Sequence, residues 1–486
     1  MNARRLAFAI TAILFVASWF IYGPIHFEAF NADYALHPLM AEDLVLPEDM
    51  YIWGENRIGS LIPFLARPLV VLFGLSGMWA VSIVQYFILA FLVWWWFKRF
   101  NSPWLAVAFS SFLLVPAFSF HAIVMVAHPL TLFVLVLTLN LALFERVERQ
   151  IEQKNYRLTE LYIWFFLVIV SLWITEQIAV PIGIMWMILV GKSFNWKTKT
   201  ILVPKRHFYT GLFMPIPALI IWGGFMRNLF RARQKPNYGK FCSWEELLDQ
   251  LALIGKRLYN VFSFQHFDPF SLFAWLMLLG AVLVVVHHRM FRERLSNTAR
   301  VLLYSSGILL LITVTSKWVY VNYTGIRYFV PVVFMFFVYV LYVIDHYQLK
   351  KLQIAAPIIL IIGSMAGYLQ IQEYQDNNAP DIERRDIVES IELKPNSIFI
   401  GDYWYTYLAG ALRSDKLYGF PFPWQEQRNK RQLVHIPHSD EVIIAKGSGL
   451  EELADTIQMH GFTFVSDREL EKVGQLVFRR YEVVDP

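Results

Sequence analysis

Apolar stretches of about 17–21 residues recur along most of this chain, the length a helix needs to cross a bilayer core. A soluble fold has nowhere to bury so many of them. Hydrophobic residues make up 57% of the sequence and charged residues 17%, against roughly 45–50% and 25% in soluble domains. The chain therefore reads as an α-helical polytopic membrane protein.

The apolar runs place spans at 7–23, 77–97, 103–118, 123–143, 160–176, 177–192, 207–225, 270–287, 300–315, 327–345 and 353–371, about eleven transmembrane helices in all. The stretch 59–76 is also apolar, but it contains Pro63, Arg67 and Pro68. It reads as a helix lying at the outer surface, with a true span as the alternative. Arg4 and Arg5 precede the first run, and no small-residue cleavage site follows it. That run reads as an uncleaved first span.

Lys and Arg concentrate on the cytoplasmic side of membrane proteins. With the N-terminus inside, that side holds Lys98, Arg99, Arg146, Arg149, Lys154, Arg157, Lys192, Lys197, Lys199, Lys205 and Arg206. It also holds Arg289, Arg292, Arg294, Arg300, Lys350 and Lys351. The first outer loop is acidic instead, with Glu28, Asp33, Glu42, Asp43, Glu48, Asp49 and Glu55. An odd number of spans then puts residues 372–486 outside. A span at 59–76 would turn every later basic cluster to the wrong face. The net charge of +5 thus reflects cytoplasmic Lys and Arg and gives no reason to expect nucleic acid. One outer segment, 226–269, breaks the rule with Arg227, Arg231, Arg233, Lys235, Lys240, Lys256 and Arg257. These are charges tolerated by a long loop or meeting lipid headgroups, or else an anion site at the membrane surface. The single cysteine, Cys242, excludes an intrachain disulfide and cysteine metal clusters.

Two domains follow. Residues 1–371 form the transmembrane module, with a first outer loop at 24–76. Residues 372–486 form a soluble extracytoplasmic α/β domain, entered through a linker at Gln375–Asn378 and Pro380. Its strands are expected at Ser397–Gly401, Glu441–Ala445, Thr463–Ser466 and Gly474–Val483, and its helices at Tyr403–Leu412 and Leu450–His460. It carries no glycine-rich phosphate fingerprint.

The first outer loop is the most informative segment. Asp33 lies about ten residues beyond the first span, close to the outer surface. A carboxylate there can take a proton from an attacking hydroxyl; it can equally be one of seven solvated acids in this loop. Glu176, beside Gln177, sits between two spans, where an acid is costly unless paired or wet. It reads as a substrate contact or a structural bond. His37-Pro38 either binds an acceptor or shapes the loop. His128 reads as a packed helix residue, His287-His288 lie on the cytoplasmic side, and Trp94-Trp95-Trp96 form an interface belt. Asn322-Tyr323-Thr324 fits a glycosylation pattern but lies too close to the membrane to serve as one. Asp402-Tyr403-Trp404 either stacks on a sugar or closes the tail's core.

The loop also carries a pattern. It reads Ala32-Asp33-Tyr34-Ala35, then Leu39-Met40-Ala41, then Trp53-Gly54-Glu55-Asn56-Arg57-Ile58-Gly59-Ser60-Leu61. This resembles the first loop of bacterial GT-C glycosyltransferases, the superfamily of protein O-mannosyltransferases and the lipid A aminoarabinose transferase. Those often read Ser-Asp-Glu-Ala, Leu-Met-Ala and Tyr-Gly-Gln-x-Tyr-x-Gly-Ser-Leu. Arg327-Tyr328-Phe329-Val330-Pro331 is similar to the Arg-Tyr-x-x-Pro that opens a late span in such enzymes. Asp402-Tyr403-Trp404 resembles a motif of their C-terminal domains. Tyr34 stands where a Glu often follows the Asp, and Glu55 where Gln is usual. The first departure puts any role for paired carboxylates in doubt.

The resemblance implies a glycosyltransferase in the cytoplasmic (inner) membrane, with a polyprenyl-phosphate sugar as donor and a glycan, lipid or protein hydroxyl as acceptor. Asp33 would be the base of an inverting transfer. Arg57, Lys317 and Arg327 would hold the donor phosphate, unless the last two only reach for headgroups. Tyr34, His37, Glu55, Glu176, Tyr320, Tyr323 and Trp404 would contact substrate. No cofactor is assigned. Metal dependence stays open, because members differ and no strong ligand set is present. Rival readings are a transporter or flippase, which should show internal repeats and midplane ionisable groups, a polysaccharide polymerase or ligase using a diphosphate donor, and a non-enzymatic scaffold.

Overall fold

Inside a bilayer no water bonds the backbone, so apolar stretches must close their hydrogen bonds within helices. The computed structural model describes residues 2–27, 30–54, 58–116, 118–126, 128–195, 197–226, 239–262, 282, 296–376, 380–414, 417–422, 431–446, 452–459 and 461–484. Its helices are α1 (Ala3–Tyr22), α2 (Ala32–Glu42), α3 (Leu61–Phe73), α4 (Gly77–Arg99), α5 (Pro103–Leu114), α6 (Leu130–Glu152), α7 (Leu158–Ile174), α8 (Ala179–Ser193), α9 (Lys205–Phe213) and α10 (Pro215–Leu219). Then come α11 (Trp244–Phe262), α12 (Asn297–Thr315), α13 (Lys317–Val321), α14 (Val330–His346), α15 (Lys350–Asp376), α16 (Pro380–Ser390) and α17 (Tyr403–Leu412).

Among the described residues, five stretches are long and apolar enough to cross a membrane: Ala3–Tyr22, Gly77–Arg99, Leu130–Glu152, Asn297–Thr315 and Ile326–His346. Outward-facing Phe8, Ile13, Phe87, Phe166 and Leu311 are exposed, as a lipid-facing surface requires. The chain is a multi-pass membrane protein. The count of about eleven is not confirmed among the described residues, and prolines shorten several of the expected spans. Expected span 103–118 is helical only to Leu114, ahead of Pro116. Expected span 123–143 starts late, because Phe118–Ile123 is a 3₁₀ turn and α6 begins after Pro129, then runs on to Glu152. The stretch 207–225 breaks at Pro215 and ends in a π-helical turn, Ile220–Met226. Expected span 270–287 lies outside the described residues apart from Val282. At 13 residues α3 rises about 20 Å, short of a core of about 30 Å, which suits a helix lying at a surface.

The chain divides into two compact units. The helical unit comprises Met1–Ser18, Asn56–Gly59 and Ile88–Gln370. Buried polar side chains tie its helices: the Trp164 indole donates to Asn140 Oδ1 at 2.9 Å, and Asn140 Nδ2 donates to Ser171 at 2.8 Å. Such bonds act as glue where apolar surfaces alone give no preference. At one end Arg99 pairs with Glu145, and Lys192 bonds Glu148 at 2.5 Å and Glu152 at 2.8 Å. Thr298 donates to Glu145 there at 2.5 Å. Asp345 at the foot of α14 accepts the backbone N–H groups of Asn101 (2.9 Å) and Ser102 (3.0 Å), capping the start of α5. The basic ends of α4, α6 and α8 therefore meet at one end of the unit. At the other end Ile58 pairs antiparallel with Thr175, and Gly59 N–H donates to Ile174 O at 3.2 Å. A Cβ on Gly59 would stand 2.8 Å from Trp173, so the segment passes only as glycine.

The second unit comprises Trp19–Glu55, Ser60–Phe87 and Ile371–Pro486. Strands β1 (Phe194–Asn195) and β2 (Thr200–Ile201) pair in the helical unit, and β3 (Ser397–Gly401), β4 (Leu417–Pro421), β5 (Glu441–Ala445), β6 (Thr456–Met459), β7 (Phe462–Val465), β8 (Glu471–Val473) and β9 (Leu476–Val484) build the sheet of the second. The order is β4-β3-β5-β9-β7-β6, with β8 hairpinned onto β9. The β3–β4 and β3–β5 pairs are parallel, and α17 makes the crossover from β3 to β4. Alternate residues feed two cores. Phe399 and Ile443 pack with Ile387 of α16 on one face, and Ile398, Ile400 and Ile444 pack with Ile436 on the other. Burial on both faces matches the uninterrupted apolar runs of β3 and β5. The expected helix at Leu450–His460 is corrected: Thr456–Met459 is a strand paired antiparallel with Phe462–Val465. A hairpin turning at Gly461, where φ is +84°, overrides the helical spacing of its leucines. The single expected strand at Gly474–Val483 is β9 with β8 added before it.

Replacing Asp345 by Ala strands the N–H donors at the start of α5. The expected cost is about 1–3 kcal/mol, read as a fall of several degrees in detergent melting; an unchanged melting temperature would refute this role.

Candidate active site

In the second unit the segment expected as loop around Asp33 is the helix α2. Asn31 caps it, its Oδ1 accepting the Asp33 N–H at 3.1 Å. From Ala32 to Ala41 every residue is buried except Asp33, which is half-exposed. Its carboxylate sits in the first turn, where the helix dipole favours negative charge.

Three elements hold α2 in place. Arg67 of α3 donates to the carbonyls of Ala41 (3.3 Å) and Glu42 at the helix C-terminus. The Gly77 N–H donates to Glu42 Oε1 at 2.6 Å. A Cβ on Gly77 would come within 2.3 Å of the Pro38 carbonyl oxygen, so α4 can start here only with glycine. Leu39 packs on Gly410 of α17, where an added Cβ would stand 3.3 Å from it. Asp33 and Glu42 lie nine positions apart on this helix, about 14 Å by its rise. They do not converge, so Glu42 is no substitute for the acid that Tyr34 replaces.

Asp49 organises the rest of the first loop. It is buried and accepts from the Trp53 indole at 2.9 Å, the Val45 N–H at 2.8 Å and Arg431 at 2.5 Å. Ser60 Oγ closes the turn onto its carbonyl at 2.5 Å.

The tail supplies the partner of Asp33. Asp402 caps α17, accepting the Trp404 N–H at 2.9 Å. The next residue, Tyr403, donates its hydroxyl to Asp33 Oδ1 at 2.8 Å. Trp404 is 36% exposed, and the Arg384 guanidinium stands 5.8 Å from its ring and 5.9 Å from that of Tyr405. Burial pushes the Tyr405 hydroxyl above its ordinary pKa, with Arg384 acting the other way. Sequence reasoning singled out this triplet for its tryptophan. The role of Tyr403 was missed, because nothing in the sequence pairs two positions 370 apart.

The remaining site expectations fall in different places. Tyr34 and His37 are 6% and 2% exposed. Tyr34 packs between Phe27 and Phe30, with ring centroids 6.2 and 5.7 Å away. Both residues belong to the interior of the second unit. Glu55 and Arg57 lie outside the described residues. In the helical unit Glu176 opens a 3₁₀ turn, directly after the bridge of Thr175 to Ile58. Lys317 forms an ion pair with Glu246 of α11 and lies 5.5 Å from the Tyr320 ring. Arg257 donates to the carbonyls of Thr324 (2.7 Å) and Tyr323 (2.8 Å). That explains one basic residue of the anomalous segment as a loop clasp; Arg227, Arg231, Arg233 and Lys235 lie outside the described residues. Tyr323 is 82% exposed on this turn. Arg327 is exposed, lies over the Tyr328 ring at 5.1 Å and, among the described residues, has no carboxylate partner. Among the described residues no three His, Cys, Asp or Glu side chains gather to hold a metal.

No protein-family model matches the sequence, and no curated protein is significantly similar to it. In structure the chain is similar to ArnT from Cupriavidus metallidurans in the apo state. The TM-score is 0.51 at 9% identity, over 98% of this chain and 97% of that one. The Archaeoglobus fulgidus oligosaccharyltransferase tethered to an acceptor peptide matches at TM-score 0.44 and 10% identity, over 91% of this chain and 69% of that one. The first match shows the fold: an ArnT-like arrangement of helices with a C-terminal sheet domain.

Asp49→Ala removes the acceptor shared by Trp53 and Arg431. The expected loss is about 2 kcal/mol, since Arg431 keeps some access to water. It should appear as a lower melting temperature and faster proteolysis within residues 43–54; wild-type resistance would contradict the role given to Asp49.

Proposed function

We propose that this chain is a GT-C glycosyltransferase that moves a sugar from a polyprenyl-phosphate donor to an acceptor hydroxyl at the outer face of the cytoplasmic membrane. The observation that carries the reading is Asp33. It is the only residue of an otherwise buried helical stretch that reaches the surface, and one of its oxygens is held by a tyrosine. The ArnT-like fold supports the same reading.

The proposed step balances simply. The acceptor oxygen attacks the anomeric carbon from the face opposite the phosphate. The new C–O bond forms as the bond to phosphate oxygen breaks, and the electron pair leaves with the polyprenyl phosphate. The acceptor proton passes to Asp33, and the anomeric configuration inverts. Asp33 acts as general base. Charge grows on the leaving phosphate and calls for cations. Arg57, Lys317 and Arg327 are proposed for this task. Arg327 is the best placed of them chemically, since Lys317 is already neutralised by Glu246. Trp404, with Arg384 beside it, offers an aromatic face on which a sugar can stack. Glu55, Glu176, Tyr320 and Tyr323 are proposed as further substrate contacts. Tyr34 and His37 are assigned instead to shaping α2.

The proposed orientation puts the N-terminus and the basic helix ends in the cytoplasm and residues 372–486 outside, by the positive-inside rule.

The test compares surface glycans, by mass, in cells lacking the protein and in cells rescued with wild type or Asp33→Asn at matched membrane levels. The wild type should restore one sugar residue, and Asp33→Asn should restore less than about one part in a hundred. Full rescue by Asp33→Asn would sink the reading and favour transport or a scaffold.

A further inference from the structure

We infer that Tyr403 is a positioning residue for the reaction: its hydroxyl fixes the Asp33 carboxylate so that the second oxygen faces the acceptor. The inference rests on the proposal that Asp33 is the base.

The geometry is specific. Tyr403 Oη lies 2.8 Å from Asp33 Oδ1, and the tyrosine is 7% exposed. Among the described residues Asp33 Oδ2 takes no hydrogen bond. One oxygen is therefore anchored from the protein side, and the other is left to receive a proton. A half-exposed aspartate otherwise rotates freely about its two side-chain torsions. A base that must meet an in-line attack loses rate when it wanders, by up to about a hundredfold for a misplacement near 1 Å.

Both ends of the bond are rigid. On the Asp33 side, the Asn31 cap fixes the first turn of α2, and Arg67 and Gly77 fix its other end. On the Tyr403 side, Asp402 caps α17, and the phenol ring packs edge-on against Trp404 and Tyr407, with centroids 5.2 Å from each. The helices approach closely through Leu39 and Gly410. A Cβ on Gly419 of β4 would stand 2.0 Å from the Thr406 carbonyl, so α17 is seated on the sheet at a distance only glycine permits. The second unit thus delivers a hydroxyl to the base, in the way that a third group orients the base in hydrolytic triads. The tail is thereby part of the catalytic apparatus as well as a surface for substrate.

Tyr403→Phe removes the hydroxyl and keeps the ring packing. The full-length protein in nanodiscs would be assayed with a panel of polyprenyl-phosphate-linked hexoses and pentoses as donors. Envelope extract from cells lacking the protein would be the acceptor. Tyr403→Phe should lower kcat by about 10- to 100-fold, with KM for donor and acceptor within about twofold and the melting temperature unchanged. In the Asp33→Asn background the same substitution should cost nothing further, since there is no base left to orient. Wild-type kcat in Tyr403→Phe, with Asp33→Asn inactive, would overturn the positioning role and leave the base standing. A raised KM with a lowered melting temperature would also overturn it, as a packing role would. An active Asp33→Asn would bring down base and positioning residue together.

Discussion

The close approach of α2 to its neighbours is the constraint on which the second unit depends. An eleven-residue helix is buried from Tyr34 to Ala41 and leaves Asp33, in its first turn, in reach of water. That requires glycine at Gly77, where α4 begins against the Pro38 carbonyl, and Gly410 leaves room for Leu39 on the other side. It also requires partners for the carbonyls at the helix C-terminus, which Arg67 supplies. Its guanidinium finishes the helix that carries Asp33. With α2 immobile, the hydroxyl of Tyr403 has a fixed target.

The helical unit follows a different logic. Its apolar surfaces are interchangeable, so polar side chains set which helices meet. Asn140 links Trp164 to Ser171 in the interior. At one end Glu145, Glu148 and Asp345 gather cations and hydrogen-bond donors from four other helix ends. The opposite end is built differently. There the chain turns through 3₁₀ segments at Phe118–Ile123, Glu176–Ile178 and Ile326–Phe329, and the exposed cation Arg327 is found among them.

Much of this was legible in the sequence, because composition and periodicity are direct readings of burial. The runs at 7–23 and 77–97 correspond to α1 and α4, and the tail strands at 397–401 and 441–445 were placed to the residue. Failures came where apolarity is a poor guide. Hydropathy does not register that Pro129 delays α6 or that Pro215 breaks the next run. It cannot separate the β6–β7 hairpin from a helix of equal apolar content. The helix α2 was hidden for another reason: it lies between two expected spans and so reads as outer loop, whereas its cap at Asn31 was the readable signal. Asp33 was picked out from a family pattern, and its exposure on a buried helix is an independent reason to single it out. Tyr403 could be seen as part of a motif, but its partner is set by tertiary packing, which a single sequence does not encode in readable form.

The account turns on one chemical claim, that a fixed carboxylate deprotonates an acceptor while the sugar is displaced in line. The anomeric configuration of the product, read by NMR against that of the donor in a single turnover, tests it most directly. Inversion is the predicted result. Retention would mean that the sugar passes through a second displacement or is attacked from the phosphate side, and Asp33 would then not be the base described.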